Sequence, residues 1–124
     1  MRLVVALMVS GALGTLARYW IDGIISSHFG TQFPVGIFAI NVVGAFLLGF
    51  SFTFLTDRML VDAWLRFAIT TGFIGSFTTF STMTFNTAQM LSSGDLSFAI
   101  VNSVGSVACG IIAASGGMVL GRLV

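Results

Sequence analysis

Four apolar stretches, each longer than a bilayer needs, leave this chain few ways to fold. They cover residues 3–25, 33–55, 65–91 and 96–120, and the connectors between them are short: SSHFGTQ, TDRMLVDAW and SSGD. About 20 apolar residues in an α-helix cross a hydrocarbon core of roughly 30 Å. Each stretch therefore reads as a transmembrane helix, and an even number of spans puts both termini on one side. The connectors leave no room for a soluble domain, so residues 1–124 read as one four-helix transmembrane domain. Alternating strands of about ten residues, the mark of a membrane β-barrel, are absent. The fold class expected is all-α integral membrane.

Charge and reactive side chains then exclude most function classes. Only 7% of residues are charged and mean hydropathy is +1.06, far from the composition of a soluble surface. The charges are five Arg and four Asp, with no Lys and no Glu. A net charge of +1 offers no field for nucleic acid or an acidic partner. Cys109 is the single cysteine and His28 the single histidine, so one chain assembles neither a disulfide nor a zinc cluster from them. The opening MRLVVALMVSGALG has the look of a signal peptide, but its apolar run continues to Arg18, so it reads as an uncleaved first helix. Arg2, Arg58, Arg66 and Arg122 fall at one face and Arg18 toward the other, which favours a cytoplasmic N terminus.

The third stretch is unlike the others. Its segment GFIGSFTTFSTMTF, residues 72–85, holds six hydroxyls: Ser76, Thr78, Thr79, Ser81, Thr82 and Thr84. At about 100° per residue these surround the helix axis instead of forming one polar stripe. Ser and Thr compete for backbone hydrogen bonds, and Gly72 and Gly75 weaken the helix just before them. The expectation is a helix interrupted at mid-membrane, where protein or a water-filled cavity satisfies the freed backbone. Channels and transporters place ion sites at such breaks. The plainer alternative is that the hydroxyls bond back to their own helix and hold its neighbours. Phe73, Phe77 and Phe80 follow i, i+4, i+7 spacing; the first two read as packing. Phe80 sits inside the hydroxyl cluster, where the electropositive edge of its ring suits an anion.

The remaining spans carry isolated polar groups among small residues. Ser10, Gly11 and Gly14 form a close-packing face in the first helix. Arg18 and Asp22 lie one turn apart and can pair; Arg18 is either an interfacial anchor or an attractor of anions into a vestibule. In the second helix Pro34 suits a first-turn position, and Ala45 and Gly49 repeat the small-residue spacing. Asn41 is either interhelical glue or the lining of a passage. Asn102, Ser106, Cys109 and Gly110 share one face of the fourth helix and can meet the broken one, with Cys109 read as a buried small side chain. Gly117 and Gly121 extend the packing surface.

No set of acid, base or nucleophile supports an enzyme, and no ionisable group lies deep enough for proton coupling. Passive permeation remains. Neutral hydroxyl and amide donors replace an ion's water without the tight binding that a fixed charge imposes. Donors and ring edges suit an anion, so the residues alone point to a small anion channel.

GFIGSFTTFSTMTF closely resembles the signature of the small bacterial fluoride channels, the Fluc or CrcB family. GALGTLARY in the first helix and GIFAINVVG in the second resemble that family's motifs too, and the resemblance covers essentially the whole chain. It implies an antiparallel homodimer in the bacterial inner membrane, inserted in both orientations, with two fluoride pores. It also implies a structural sodium ion at the dimer centre, held by backbone carbonyls of Gly75 and Thr78. Phe80 takes the ring-edge role and Asn41 the pore amide. Ser81, Thr82 and Ser106 look like members of a polar track, and Arg18 matches the helix 1 arginine. Fluoride that enters as its neutral acid dissociates inside, and the trapped anion leaves passively, which lowers its toxicity.

The chain departs from the pattern in places. Met83 occupies the pore position of the family's second phenylalanine, and a thioether lacks the ring's positive edge. Asn86 stands where an acidic residue is expected, and Ile37 where threonine is common. Two other classes fit the size: a small multidrug exporter, which needs a helix 1 glutamate this chain does not have, and a non-conducting assembly subunit.

Overall fold

The apolar stretches become helices over nearly their whole length. A computed structural model describes residues 1–57 and 61–124; Arg58, one of the arginines assigned to one face, lies outside the described residues. Among those described, all regular structure is helical. Helix α1 is Arg2–Phe29 and α2 is Val35–Asp57. The third span comes in two arms, α3 over residues 63–77 and α4 over Phe80–Ser93; α5 is Leu96–Leu123. Helices α1, α2 and α5 are each long and apolar enough to cross a membrane, and the two arms divide the third apolar stretch between them. The expected interruption is therefore present, at Thr78 and Thr79.

Local chemistry sets the ends. Gly30 terminates α1 with φ 78° and its N–H on the Ser26 carbonyl, a turn more than the apolar pattern indicates. Gly94 closes α4 at φ 85°, with the Asp95 N–H returning 2.9 Å to Met90 O. These are the left-handed positions that glycine fills without steric cost. Pro34 stands one residue ahead of α2, and its carbonyl accepts the Phe38 N–H at 3.0 Å. Two π-helical stretches, Ala68–Ile74 in α3 and Val101–Gly105 in α5, widen the turns near the break; such bulges are rare and favour functional segments.

Lipid supplies no hydrophobic drive to join helices, so close approach through small residues does. Helix α1 meets α3 where a methyl on Gly14 would strike the Phe73 carbonyl and one on Gly72 the Ser10 hydroxyl. The α2–α5 pairing is the most extensive in the molecule. There Gly49 lies against the Ala114 carbonyl, Gly117 against the backbone of Phe46 and Phe50, and Gly121 against Phe50. Phe73 and Phe77 stack with centroids 6.2 Å apart, and Phe77 is buried, as their spacing indicates.

Two sequence expectations fail here. Arg18 and Asp22 form no ion pair; the Asp22 carboxylate packs against the bare α-carbon of Gly36 and accepts a long, 3.5 Å bond from the Ser26 hydroxyl. A glycine on α2 opens room that draws the carboxylate away from the arginine. Cys109 is exposed, not buried, and nothing lies near a methyl built on Gly110. Only the Asn102 and Ser106 half of that face turns inward.

Candidate functional site

The break is organised by one amide. Thr78 and Thr79 are both extended, with φ −82° and −150°; the Thr78 N–H still reaches the Ile74 carbonyl at 3.1 Å, and the backbone leaves the helical ladder at the Thr78 carbonyl and at both groups of Thr79. Asn41, from the second turn of α2, takes both sides of Thr79: its Nδ2 donates to the Thr79 carbonyl at 3.0 Å and its Oδ1 accepts the Thr79 N–H at 2.8 Å. The side-chain amide thus mimics a strand neighbour and supplies the partners that a buried backbone requires. Of the two sequence readings of Asn41, interhelical glue is realised, directed at the break itself. The lining role coexists with it, because the same residue borders a cavity.

Thr79 also starts α4. Its hydroxyl accepts the Thr82 N–H at 3.3 Å and donates to Thr82 Oγ1 at 3.0 Å, with Ser81 Oγ 3.4 Å away. This is an N-cap of the Ser/Thr kind. The two rearrangements leave two carbonyls without their helical donors. The Thr79 N–H, directed to Asn41, no longer serves Gly75, and the Thr82 N–H, directed to Thr79 Oγ1, no longer serves Thr78.

Beside the break lies a cavity of about 280 Å³ bordered by Asn41, Thr78, Phe80, Met83 and Ser106, with Gly44, Ala45 and Leu48 behind them. Phe80 is 74% exposed, whereas Met83 and Ser106 are buried. Residues remote in sequence converge here: an amide, a hydroxyl, a thioether and a ring. Gly44 is required for this, since a methyl there would occupy the Thr78 side chain. None of these groups is charged, so the lining offers hydrogen-bond donors and a ring edge without a trapping charge.

The other nominated residues sit elsewhere. Thr82 borders a wider, polar vestibule of about 580 Å³ with Asp22, Asn86, Gln89 and Asp95. Ser81 is exposed and joins the Thr79 hub. Arg18 is half-buried and borders neither space. Gly75, exposed at the end of α3, contributes only its carbonyl to the break. No group of acidic, His or Cys side chains able to hold a metal occurs among the described residues.

Two residues at the site do more than the sequence indicates. Thr79 was one hydroxyl among six, with nothing to mark it as the cap. Asn102 is fully buried and donates to the Met83 carbonyl at 3.0 Å and to Thr87 Oγ1 at 2.9 Å. These bonds bear out the expectation that this face of the fourth helix meets the broken one.

Comparison with known proteins agrees along nearly the full length. The family model described as CrcB-like protein, Camphor Resistance (CrcB), matches residues 5–118. A protein of Acidobacterium capsulatum named Fluoride-specific ion channel FluC is 47% identical over 115 residues, 92% of this chain and 91% of the relative. The protein of that name from Citrifermentans bemidjiense is 46% identical over 107 residues, 86% of each. That from Aquifex aeolicus is 35% identical over 122 residues, 98% of each.

Proposed function

The chain belongs to the CrcB family, and on that premise we propose that it is a passive, fluoride-selective ion channel, a multi-pass protein of a bacterial membrane. The observation that carries the reading is the cavity where Asn41, Phe80, Met83 and Ser106 meet beside the broken helix. Fluoride is small and strongly hydrated, so it enters only where dense donors replace its water. Chloride gains less from the same donors and needs more room. The Ser106 hydroxyl donates, and the Phe80 ring turns its positive edge to the ion. Asn41 holds the break open by occupying the Thr79 backbone. Export then runs down the electrochemical gradient and lowers the toxicity of fluoride that entered as its neutral acid.

A single chain leaves one side of this path uncovered, since Phe80 and Ser81 face outward. A second, antiparallel copy covers it and places two pores at the dimer interface. The carbonyls of Gly75 and Thr78 suit a structural sodium ion at the dimer centre: both are backbone oxygens freed from the helical ladder, the ligand type that broken transmembrane helices offer sodium. When bound, the ion supplies fixed positive charge that holds those oxygens together.

The test is fluoride efflux from liposomes holding the purified protein, followed with a fluoride electrode beside a chloride control, while a potassium ionophore carries the balancing charge. Fast fluoride release without chloride release is expected. Release no faster than from empty liposomes, from a verified folded dimer, would reject the reading.

A further inference from the structure

A hydroxyl in an apolar span has to place its proton. Ser10, Thr70, Thr78, Thr84, Thr87 and Ser103 all donate to the carbonyl four residues back, at 2.7–3.2 Å. Ser106 does not. It is only 5% exposed, its Oγ has no protein partner, and it borders the cavity with Asn41 and Phe80.

One turn earlier on α5, Asn102 has the complementary defect. Proton counting fixes the way its amide points. The Met83 carbonyl only accepts, and the Thr87 hydroxyl already donates its proton to that carbonyl at 2.9 Å. Both neighbours therefore need Nδ2, and they have it at 3.0 and 2.9 Å. Turning the amide over would set Oδ1 against two acceptors. As it stands, Oδ1 is buried, accepts only, and has no donor, a costly arrangement for a residue that is 0% exposed.

We propose that Asn102 and Ser106 form a binding site for one water molecule, which donates one proton to Asn102 Oδ1 and the other to Ser106 Oγ. Fluoride cannot take that place, because it too only accepts and would meet the amide oxygen lone pair to lone pair. A two-proton donor is required. Asn102 lies in the π-helical stretch Val101–Gly105 and Ser106 directly follows it, so the two side chains stand about one turn apart, a gap that one oxygen bridges with two ordinary hydrogen bonds. With its oxygen occupied as an acceptor, Ser106 keeps its own proton free and aimed at the cavity. Without the water, that oxygen has no donor, and the side chain is free to change rotamer toward the carbonyl four residues behind, the placement taken by Ser10, Thr70 and Ser103. Asn102 is then a positioning residue: it acts on the ion only through Ser106. This donor role rests on the channel reading; the water site does not.

Two measurements test the proposal. A crystal structure of the dimer should show a water within about 3.2 Å of both Asn102 Oδ1 and Ser106 Oγ; an empty position between them overturns the site. Fluoride efflux is then measured for Asn102→Leu, Ser106→Ala, the double variant and Thr87→Val, each checked for dimer assembly. Asn102→Leu should cost about tenfold, the scale of one hydrogen bond to a charged group. In the Ser106→Ala background the same change should cost nothing more. Thr87→Val removes a partner of Nδ2 and leaves Oδ1 in place, so it should keep wild-type flux. Equal losses for Thr87→Val and Asn102→Leu would mean that the clamp on α4 matters, not the water. A full tenfold loss persisting without Ser106 would equally overturn the donor role. Wild-type protein that carries no fluoride would remove the channel reading and that role with it, while the water density still decides the site.

Discussion

Asn41 combines two duties that substitution can separate. Its amide satisfies both the N–H and the carbonyl of Thr79, and it also borders the cavity. Asn41→Ala leaves two backbone groups unpaired, at about 1–3 kcal/mol each, so a large fall in thermal stability and loss of flux are expected together. Asn41→Asp still accepts the Thr79 N–H but cannot donate to its carbonyl, and it adds a negative charge beside an anion path. We expect it to regain part of the stability in a detergent melting experiment and none of the fluoride efflux. Recovery of efflux in Asn41→Asp would show that the amide serves the fold alone. The ring at Phe80 calls for a matched comparison. Phe80→Ile should lower fluoride flux about tenfold or more, equivalent to roughly 1.4 kcal/mol of lost ion stabilisation. Phe85 is also exposed, at 62%, but borders neither the cavity nor the vestibule, so Phe85→Ile should leave efflux unchanged. Equal behaviour of the two variants would remove the ring edge from the mechanism.

Between helices, the neighbouring glycines of α5 offer a similar contrast. Gly117 lies against the backbone of Phe46 and Phe50, whereas a methyl on Gly116 meets nothing. Gly117→Ala must push α2 and α5 apart, an overpacking cost of about 1–3 kcal/mol. Gly116→Ala removes only a helix penalty of up to about 1 kcal/mol, so its melting temperature should stay level or rise while that of Gly117→Ala falls. What sequence could and could not reveal divides at this same scale. The spans were legible because apolar length is a one-dimensional property. The break was legible too, because Gly75 and the dense hydroxyls weaken a helix wherever it packs. Which threonine becomes the cap was not, since Thr78 and Thr79 differ only in their distance from Asn41, a contact across 38 positions. The Arg18–Asp22 pairing failed for a related reason: spacing along one helix says nothing about the gap that Gly36 opens on the next. Cys109 failed because the side of α5 it occupies depends on which face α2 covers.

At the scale of the whole molecule, charge is distributed unevenly along the membrane normal. Arg2, Arg66 and Arg122 lie at the end formed by the start of α1 and the finish of α5, with Asp57 and Asp62. The opposite end has Asp22 and Asp95 bordering the vestibule, and Arg18 as the one arginine there among the described residues. Three described arginines against one favour insertion with the N terminus in the cytoplasm, yet an antiparallel dimer needs both orientations in equal numbers. Insertion bias and assembly therefore pull in different directions, and pairing resolves the conflict if oppositely inserted chains are scarce but captured. The measurement is a pair of reporters fused to the C terminus, one active only inside the cell and one only outside. Both should give signal, the inside reporter more strongly. Replacing Arg122 by Gln and Ser93 by Arg removes the bias among the described arginines, to two against two, and should raise the outside signal. An outside reporter that stays silent in both forms means that every chain inserts one way, and the antiparallel arrangement then has no source of its second copy.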